Sequence, residues 1–227
     1  MMLERISIGV EGLDTMLRGG LIRERTYLVK GGPGAGKTIL SMQFLIEGAK
    51  RREKVAYVTL EEPEDDVRKN MRSLGFDISK IKIVDLSPTS DHPIFMSLIN
   101  GEIDVKTFDL IIKDLIGNVD RLVVDPITML RIASNSEYDY RTSLLRLNRT
   151  FKGLKATTVL TCNMVSDVED SLVSGIIELH MIDVGGRCVR GLKIVKMKGS
   201  DFDHTMRPYR ITEGGFEVYP DLNVLDV

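Results

Sequence analysis

Two kinds of apolar pattern alternate along residues 25–161. Short continuous apolar runs are typical of buried strands, and they occur at 25–30, 54–60, 81–86, 121–125 and 157–161. Between them, apolar residues recur every three or four positions, as on one face of an amphipathic helix. These helical segments follow Lys37 and lie at about 64–74, 105–116 and 142–154. The first two thirds of the chain are therefore predicted to alternate strand and helix.

The pattern changes after residue 175, where helical spacing stops. Strand-like runs follow one another at 176–184, 189–198, about 209–212 and 216–219. Gly185-Gly186 and Gly214-Gly215 separate them as hairpin turns. Strand–helix alternation followed by hairpins predicts an α/β fold, a mostly parallel twisted sheet flanked by helices with C-terminal antiparallel strands.

Nothing in the composition divides the chain. No repeat, low-complexity linker or shift in composition interrupts its 227 residues, so we expect one domain over 1–227. Residues 87–101 follow no clear period and are predicted to form an irregular loop with a short helix.

A glycine-rich run joins the first long strand to the first long helix. Its spacing, Gly, four free positions, Gly, Lys and Thr, is that of the phosphate-binding P-loop. Glycines let successive backbone N–H groups point at one anion, Lys37 would reach the β- and γ-phosphates, and the Thr38 hydroxyl would bind Mg²⁺. A plain glycine-rich turn is the alternative, and the strand before and helix after it favour the phosphate site. The predicted nucleotide-binding residues are Gly31, Gly32, Pro33, Gly34, Ala35, Gly36, Lys37, Thr38 and Ile39.

Acidic residues follow two other predicted strands. Asp125 ends the apolar run 121–125, a position from which a P-loop protein holds Mg²⁺ through a carboxylate. Glu61 and Glu62 end the strand at 54–60, which we expect beside the P-loop strand. Adjacent strand residues face opposite sides, so only one should face the γ-phosphate; we expect Glu61 to be the base and Glu62 to orient it. The alternative is an acidic first turn for the helix near Pro63.

The composition argues against several classes of function. The net charge is −2 and the pI is about 6.0, which argues against nucleic acid as a partner. No apolar run approaches the roughly 18 residues that cross a bilayer, and no secretory signal is visible at the start. We therefore expect a cytoplasmic protein without a membrane anchor, in which Cys162 and Cys188 are buried reduced thiols.

Several motifs in one order resemble the KaiC/RecA-type ATPases, and specifically the single-domain archaeal KaiC type. Beside the P-loop, the motifs that carry the resemblance are Gly12-Leu13-Asp14, Gly19-Gly20-Leu21, Gln43-Phe44-Leu45, Glu61-Glu62, Val124-Asp125, 157–161, 193–199, Ile211-Thr212 and Gly214-Gly215. The resemblance implies a RecA-like core, six copies in a ring, and ATP or ADP with Mg²⁺ bound between neighbours. It also implies ATP hydrolysis, with a regulatory output to a protein partner.

The resemblance assigns roles to four further side chains. It implies that Glu61 and Glu62 are the catalytic glutamates, and that Lys196 and Lys198 reach the γ-phosphate of the neighbouring subunit. From spacing alone, these two lysines share one strand face and could equally be solvated. Lys198 replaces a common arginine and lacks its bidentate fork.

The chain also departs from the clock proteins of this family. Only one domain is present, and the loop 162–171 lacks adjacent Ser–Thr phosphoacceptors. Ser166 and Ser171 are isolated in that loop.

Two alternative functions remain open at this stage. A DNA-handling motor would need basic central loops, whereas 163–171 carries Asp167, Glu169 and Asp170 and no base. In 131–141 the arginines Arg131 and Arg141 are balanced by Glu137 and Asp139. The other alternative is a nucleotide-dependent switch that does not hydrolyse ATP.

Overall fold

The computed structural model describes residues 3–90, 94–163 and 167–224. Its strands are β1 (Arg5–Ile6), β2 (Leu21–Ile22), β3 (Thr26–Gly31), β4 (Val55–Thr59), β5 (Lys82–Asp85), β6 (Arg121–Asp125), β7 (Thr157–Cys162), β8 (Gly175–Val184), β9 (Arg187–Met197), β10 (Arg207–Thr212) and β11 (Gly215–Val218). Its α-helices are α1 (Glu11–Met16), α2 (Lys37–Lys50), α3 (Glu64–Ser73), α4 (Ile94–Ile99), α5 (Val105–Ile116), α6 (Glu137–Gly153) and α7 (Asp167–Leu172), with a 3₁₀ turn at Ile127–Arg131. Within these ranges no helix is long and apolar enough to cross a bilayer.

Nine strands form the main sheet in the order β11-β10-β9-β8-β3-β7-β6-β4-β5. The six strands from β8 to β5 are parallel, and β9, β10 and β11 extend the sheet in antiparallel pairs. Strands β1 and β2 form a separate small ribbon. The predicted fold class, a mostly parallel sheet with a C-terminal antiparallel extension, is confirmed.

The strand order corrects one expectation. We expected β4, which precedes Glu61, to lie beside the P-loop strand β3, but β7 and β6 lie between them. Apolar periodicity reports that a strand is buried, not which strand it pairs with, so the local pattern could not give this order. The glutamates therefore lie closer to Asp125 than expected, because Thr59 pairs directly with Asp125.

Alternate residues of the central strands enter two different cores. Tyr27 and Val29 of β3 pack with α1, α2 and α3 on one face of the sheet. Leu28 packs with α4, α5 and α6 on the other face. Helices cover both faces, as expected for strands that are buried along their whole length.

Helix α6 begins five residues before the predicted start near Thr142. The Ser136 hydroxyl accepts a hydrogen bond from the Asp139 N–H at 3.1 Å, and Glu137 and Asp139 lie in the first turn. A serine N-cap and acidic residues in the first turn stabilise the start of a helix. Helix α6 therefore begins at Glu137, although its apolar stripe begins later. Residues 137–141 are thus helical, and the loop before them is limited to 132–136.

The C-terminal strands confirm one turn and shift other boundaries. Gly185 and Gly186 have positive φ angles of 60° and 81° and form the two-residue turn of the β8–β9 hairpin. Strand β9 ends at Met197, so Lys198 follows the strand instead of lying in it, and the β8–β9 pairing is irregular opposite Lys196.

The predictions for the short elements and the cysteines had mixed outcomes. Between 87 and 101 the described residues contain the expected short helix, α4. The second C-terminal turn precedes Gly215, which already belongs to β11. Cys162 is buried as expected, but Cys188 is exposed because it lies near the projecting end of the β8–β9 hairpin; both are free.

A fully buried arginine joins three parts of the fold. The Arg121 guanidinium donates to the carbonyls of Ser7 at 2.7 Å and Phe44 at 2.9 Å, and it pairs with Glu53. It also lies 4.7 Å from the centre of the Phe44 ring. A Cβ added to Gly48 would lie 2.6 Å from the arginine. The Arg121 side chain of β6 therefore links this strand to the N-terminal segment and to α2.

Replacing Arg121 should destabilise the protein strongly. Arg121→Ala leaves two carbonyls without their donor and leaves Glu53 with Arg23 as its remaining cation. We expect the free energy of unfolding to fall by about 3–5 kcal/mol. The matched control is Arg51→Ala, which removes an exposed helical ion pair with Glu47 and should cost under about 0.5 kcal/mol. Urea unfolding measures both, and equal losses would contradict the anchoring role.

Candidate functional site

The predicted P-loop lies between the end of β3 and the start of α2. Gly34 and Gly36 have φ angles of 75° and 94°, a backbone conformation that residues with side chains rarely adopt. A Cβ added to Gly32 or Gly34 would meet no atom within 4 Å, so the outer side of the loop faces open space. The loop is thus shaped by glycines and open on one side.

Lys37 is folded across its own loop. Its half-buried side chain donates from Nζ to the carbonyls of Gly31 at 2.8 Å and Gly32 at 3.1 Å. Neutral carbonyls are weaker partners for an ammonium group than a phosphate oxygen would be. The lysine is therefore held at the loop, where an anion could replace its present acceptors.

Asp125 is nearly buried and holds three hydroxyl groups. One carboxylate oxygen, Oδ2, accepts from Thr38 Oγ1 at 2.7 Å and from the Tyr57 hydroxyl at 2.7 Å. The other, Oδ1, accepts from Thr161 Oγ1. Burial, and next the Asp125 charge, raise the pKa of Tyr57 well above its usual range, so this phenol stays a neutral donor.

The side-chain oxygen atoms of Thr38 and Asp125 are suitable ligands for Mg²⁺. Magnesium prefers hard oxygen ligands and is usually held by one or two carboxylates together with substrate phosphates. Within 3–90, 94–163 and 167–224 no cluster of three or more His, Cys, Asp or Glu side chains forms an all-protein metal cage. A hydroxyl and a carboxylate beside an anion-binding loop match the magnesium pattern.

Glu61 and Glu62 line the same cavity as Thr38 and Asp125. This cavity has a volume of about 390 Å³, and Tyr57, Thr59, Pro63 and Pro126 complete its wall. The structure thus brings together four predicted site residues that are up to 87 positions apart in the chain.

The two glutamates differ in how firmly they are held. Glu61 is exposed, and among the described residues it has no hydrogen-bond or ion-pair partner. Glu62 is half-buried; its carboxylate accepts from Asn70, and its carbonyl accepts from the Thr59 hydroxyl at 2.5 Å. Burial, followed by the charges of nearby acids, raises the pKa of Glu62.

Lys196 and Lys198 do not join this site within one chain. In the sheet, Gly31 pairs with Leu179 at the P-loop edge, whereas Met197 pairs with Gly175 at the opposite edge. Lys196 donates to the Asp170 carbonyl at 2.6 Å, and burial followed by the Lys198 charge lowers its pKa. Lys196 is level with Leu28 of β3, three residues before Gly31, and Lys198 lies near the start of β3.

Two of the three acidic residues of α7 have buried partners, which lowers the exposed negative charge of this region. Glu169 is buried and accepts from the Tyr140 hydroxyl, and Asp170 pairs with the Lys30 ammonium at 2.8 Å. The sequence analysis counted both as charges of a loop, whereas they lie in helix α7 and contact buried partners. Ser166 lies outside the described residues.

Similarly, Arg131 is paired with Glu137 at 2.6 Å. This exposed pair agrees with the balance of charges expected at 131–141.

Sequence reasoning missed the hydroxyl and amide groups that hold the predicted acids. Tyr57, Thr161, Thr59 and Asn70 each donate to Asp125 or Glu62. One signal was available in the sequence: Tyr57 and Thr161 place a hydroxyl in a strand that is predicted to be fully buried. A buried hydroxyl needs a hydrogen-bond partner. No spacing rule would have named that partner.

Known proteins resemble the chain along nearly its whole length. The UPF0273 protein of Pyrococcus horikoshii is 32% identical, over 97% of this chain and 96% of that protein. The circadian clock oscillator protein KaiC of Synechococcus elongatus is 30% identical over 93% of this chain, which matches only 43% of the clock protein.

The solved structures and the family models agree with these relatives. A crystal structure of a KaiC-like protein from Pyrococcus horikoshii has a TM-score of 0.83 at 29% identity, covering 96% of this chain and 100% of that one. The family model described as "ATPase: KaiC" matches residues 6–223. The resemblance drawn from the motifs is confirmed, and the chain belongs to the KaiC family of ATPases.

Proposed function

We propose that this protein binds ATP with Mg²⁺ at the P-loop and hydrolyses it, as one ATPase domain. The observation that carries the proposal is the hydrogen bond of 2.7 Å from Thr38 to Asp125 beside the open glycine loop. The glycine loop, the oxygen atoms of Thr38 and Asp125, and the carboxylates of Glu61 and Glu62 lie at the same edge of the sheet. Ligands bind at this carboxyl edge in open α/β sheets.

Separate residues of the chain would bind the phosphates, hold the metal and accept the proton. The loop N–H groups and Lys37 would hold the phosphates, and Thr38 with Asp125 would hold Mg²⁺. Bound Mg²⁺ would neutralise phosphate charge as the bond to the leaving oxygen breaks. Glu61, exposed and unpartnered among the described residues, would take a proton from the attacking water, whose oxygen bonds to the γ-phosphorus while ADP leaves. Glu62, held by Asn70, would orient this base.

Removal of the Lys37 ammonium should abolish nucleotide binding. We expect Lys37→Ala to weaken ATP binding at least about 100-fold, since a buried charge-assisted contact to phosphate contributes several kcal/mol. Calorimetric titration with ATP and Mg²⁺ measures this. Lys50→Ala, at the far end of the same helix, is the control and should leave the affinity unchanged. Equal affinities for Lys37→Ala and the wild type would contradict the proposed site.

Neutralising Glu61 should separate hydrolysis from binding. Glu61→Gln keeps the size of the side chain but cannot accept the proton, so phosphate release should fall about 100-fold or more while ATP affinity stays within about twofold. Glu62→Gln should retain part of the activity. Unchanged phosphate release in Glu61→Gln would leave Glu61 without a catalytic role. No phosphate release by the wild type would favour the switch that does not hydrolyse ATP.

We further propose that the active form is a ring, by family resemblance a hexamer, with the site completed by a neighbour. Among the described residues, neither Lys196 nor Lys198 contacts the P-loop of its own chain, which supports assigning both to the site of a neighbouring subunit. A cation from a neighbour would stabilise charge on the transferred phosphoryl group. A protein partner would recognise the conformation of the ring. We do not propose nucleic acid as the partner, because α7 carries no lysine or arginine that would bind its phosphates.

Subunit mixing tests this shared site. Lys196→Ala should bind ATP normally but lose at least about tenfold in phosphate release in the assembled state. When Lys196→Ala and Glu61→Gln subunits are mixed at random, about a quarter of the interfaces combine an intact Glu61 with an intact neighbouring Lys196. Activity should therefore reappear on mixing. Lys193→Ala, on the same strand, is the control and should be fully active.

Two results would count against the shared site. The first is no recovery of activity on mixing. The second is equal turnover by isolated subunits and assemblies across a range of protein concentrations.

A further inference from the structure

A buried tyrosine hydroxyl is bonded to the backbone of the P-loop. Tyr209 of β10 donates its phenolic proton to the Ala35 carbonyl at 2.7 Å. Both residues are buried, with 2% and 1% of their surface exposed. The two residues are 174 positions apart, so the C-terminal hairpin supplies a direct contact to the nucleotide loop.

The position of the Tyr209 ring is fixed from two sides. The ring stacks on Phe216 of β11 with the centroids 4.4 Å apart and the planes at 12°. The Phe216 N–H donates to Gln43 Oε1 of α2 at 2.6 Å. The hairpin is therefore tied to the helix that follows the P-loop, and the hydroxyl is carried on a rigid support.

The same hairpin fills the space behind the next residue of the loop. A Cβ added to Gly36 would lie 2.5 Å from Cδ1 of Ile211 and 3.4 Å from the Phe216 ring. Gly36 thus supplies a positive φ angle and also lets β10 and β11 approach the loop closely. The back of the loop is closed, whereas its outer side at Gly32 and Gly34 is open.

The bond to Tyr209 determines which way one N–H group points. The Ala35–Gly36 peptide is trans, and in a planar trans peptide the C=O and the following N–H point in opposite directions. With the Ala35 carbonyl drawn toward β10, the Gly36 N–H is directed away from the hairpin. It therefore points toward the side of the loop that an anion would approach.

We propose that Tyr209 is a positioning residue that presets the Ala35–Gly36 peptide, and so the Gly36 N–H, for phosphate binding. The proposal rests on the nucleotide site proposed above and assigns to the C-terminal hairpin a part in building it. Phenylalanine would fill the same space, so the hydroxyl serves this bond and not the packing. Burial raises the pKa of Tyr209 to about 12, which keeps it a donor at neutral pH.

The experiment compares two tyrosine hydroxyls of equal burial. Tyr209→Phe removes the bond to the P-loop and keeps the ring. Tyr27→Phe is the matched control, because its hydroxyl is equally buried but bonds to the backbone of Ile22 at the other end of β3. ADP titration by calorimetry, with Mg²⁺ and again with a chelator, gives the affinities, and urea unfolding gives the stabilities.

We expect Tyr209→Phe to weaken ADP binding about tenfold, equivalent to about 1.4 kcal/mol, while Tyr27→Phe binds as the wild type does. The loss should be the same without Mg²⁺, because the missing contact is to phosphate. In steady-state hydrolysis, KM should rise with kcat nearly unchanged.

Three outcomes are distinguishable. Wild-type affinity in Tyr209→Phe overturns the positioning role and leaves the nucleotide site standing. Equal losses of stability in both variants with full ADP binding also overturn it, since the hydroxyl would then be only structural. Failure of the wild type to bind ADP removes the proposed function, and this inference with it.

Discussion

The hydrogen bond from Thr38 to Asp125 depends on the order of the strands. Thr38 opens the helix after β3, and Asp125 ends β6, which lies two strands away with β7 between them. Since these strands are parallel, their carboxyl ends share one edge, and a carboxylate on β6 can meet a hydroxyl at the start of α2. Glu61 and Glu62 reach the same cavity because β4 pairs with β6.

Much of this could be predicted from the sequence, because local rules govern it. Glycine spacing gave the P-loop, and apolar periodicity gave most strands and helices, α5 with its observed bounds. Strand order could not be predicted, because pairing is decided by packing over long separations and not by the local pattern. The start of α6 was missed because the Ser136 cap lies before the apolar stripe that marks the helix.

The support around the site was also hidden from sequence reasoning. Tyr57, Thr161 and Tyr209 lie in strands that read as apolar, yet each hydroxyl is bonded to Asp125 or to the P-loop backbone. A buried hydroxyl needs a partner, but its identity emerges only when distant segments meet. Lys196 and Lys198 illustrate the reverse case. Their motif could be recognised in the sequence, but their separation from the P-loop of their own chain could not.

The account's central claim is that the glycine loop holds the phosphates, with Thr38 and Asp125 beside the metal. A crystal structure grown with ADP and Mg²⁺ tests it most directly. The account predicts phosphate oxygens bonded to the loop N–H groups and the Lys37 ammonium withdrawn from the carbonyls of Gly31 and Gly32. An empty loop in the presence of saturating nucleotide, or phosphates bound elsewhere on the protein, would contradict it.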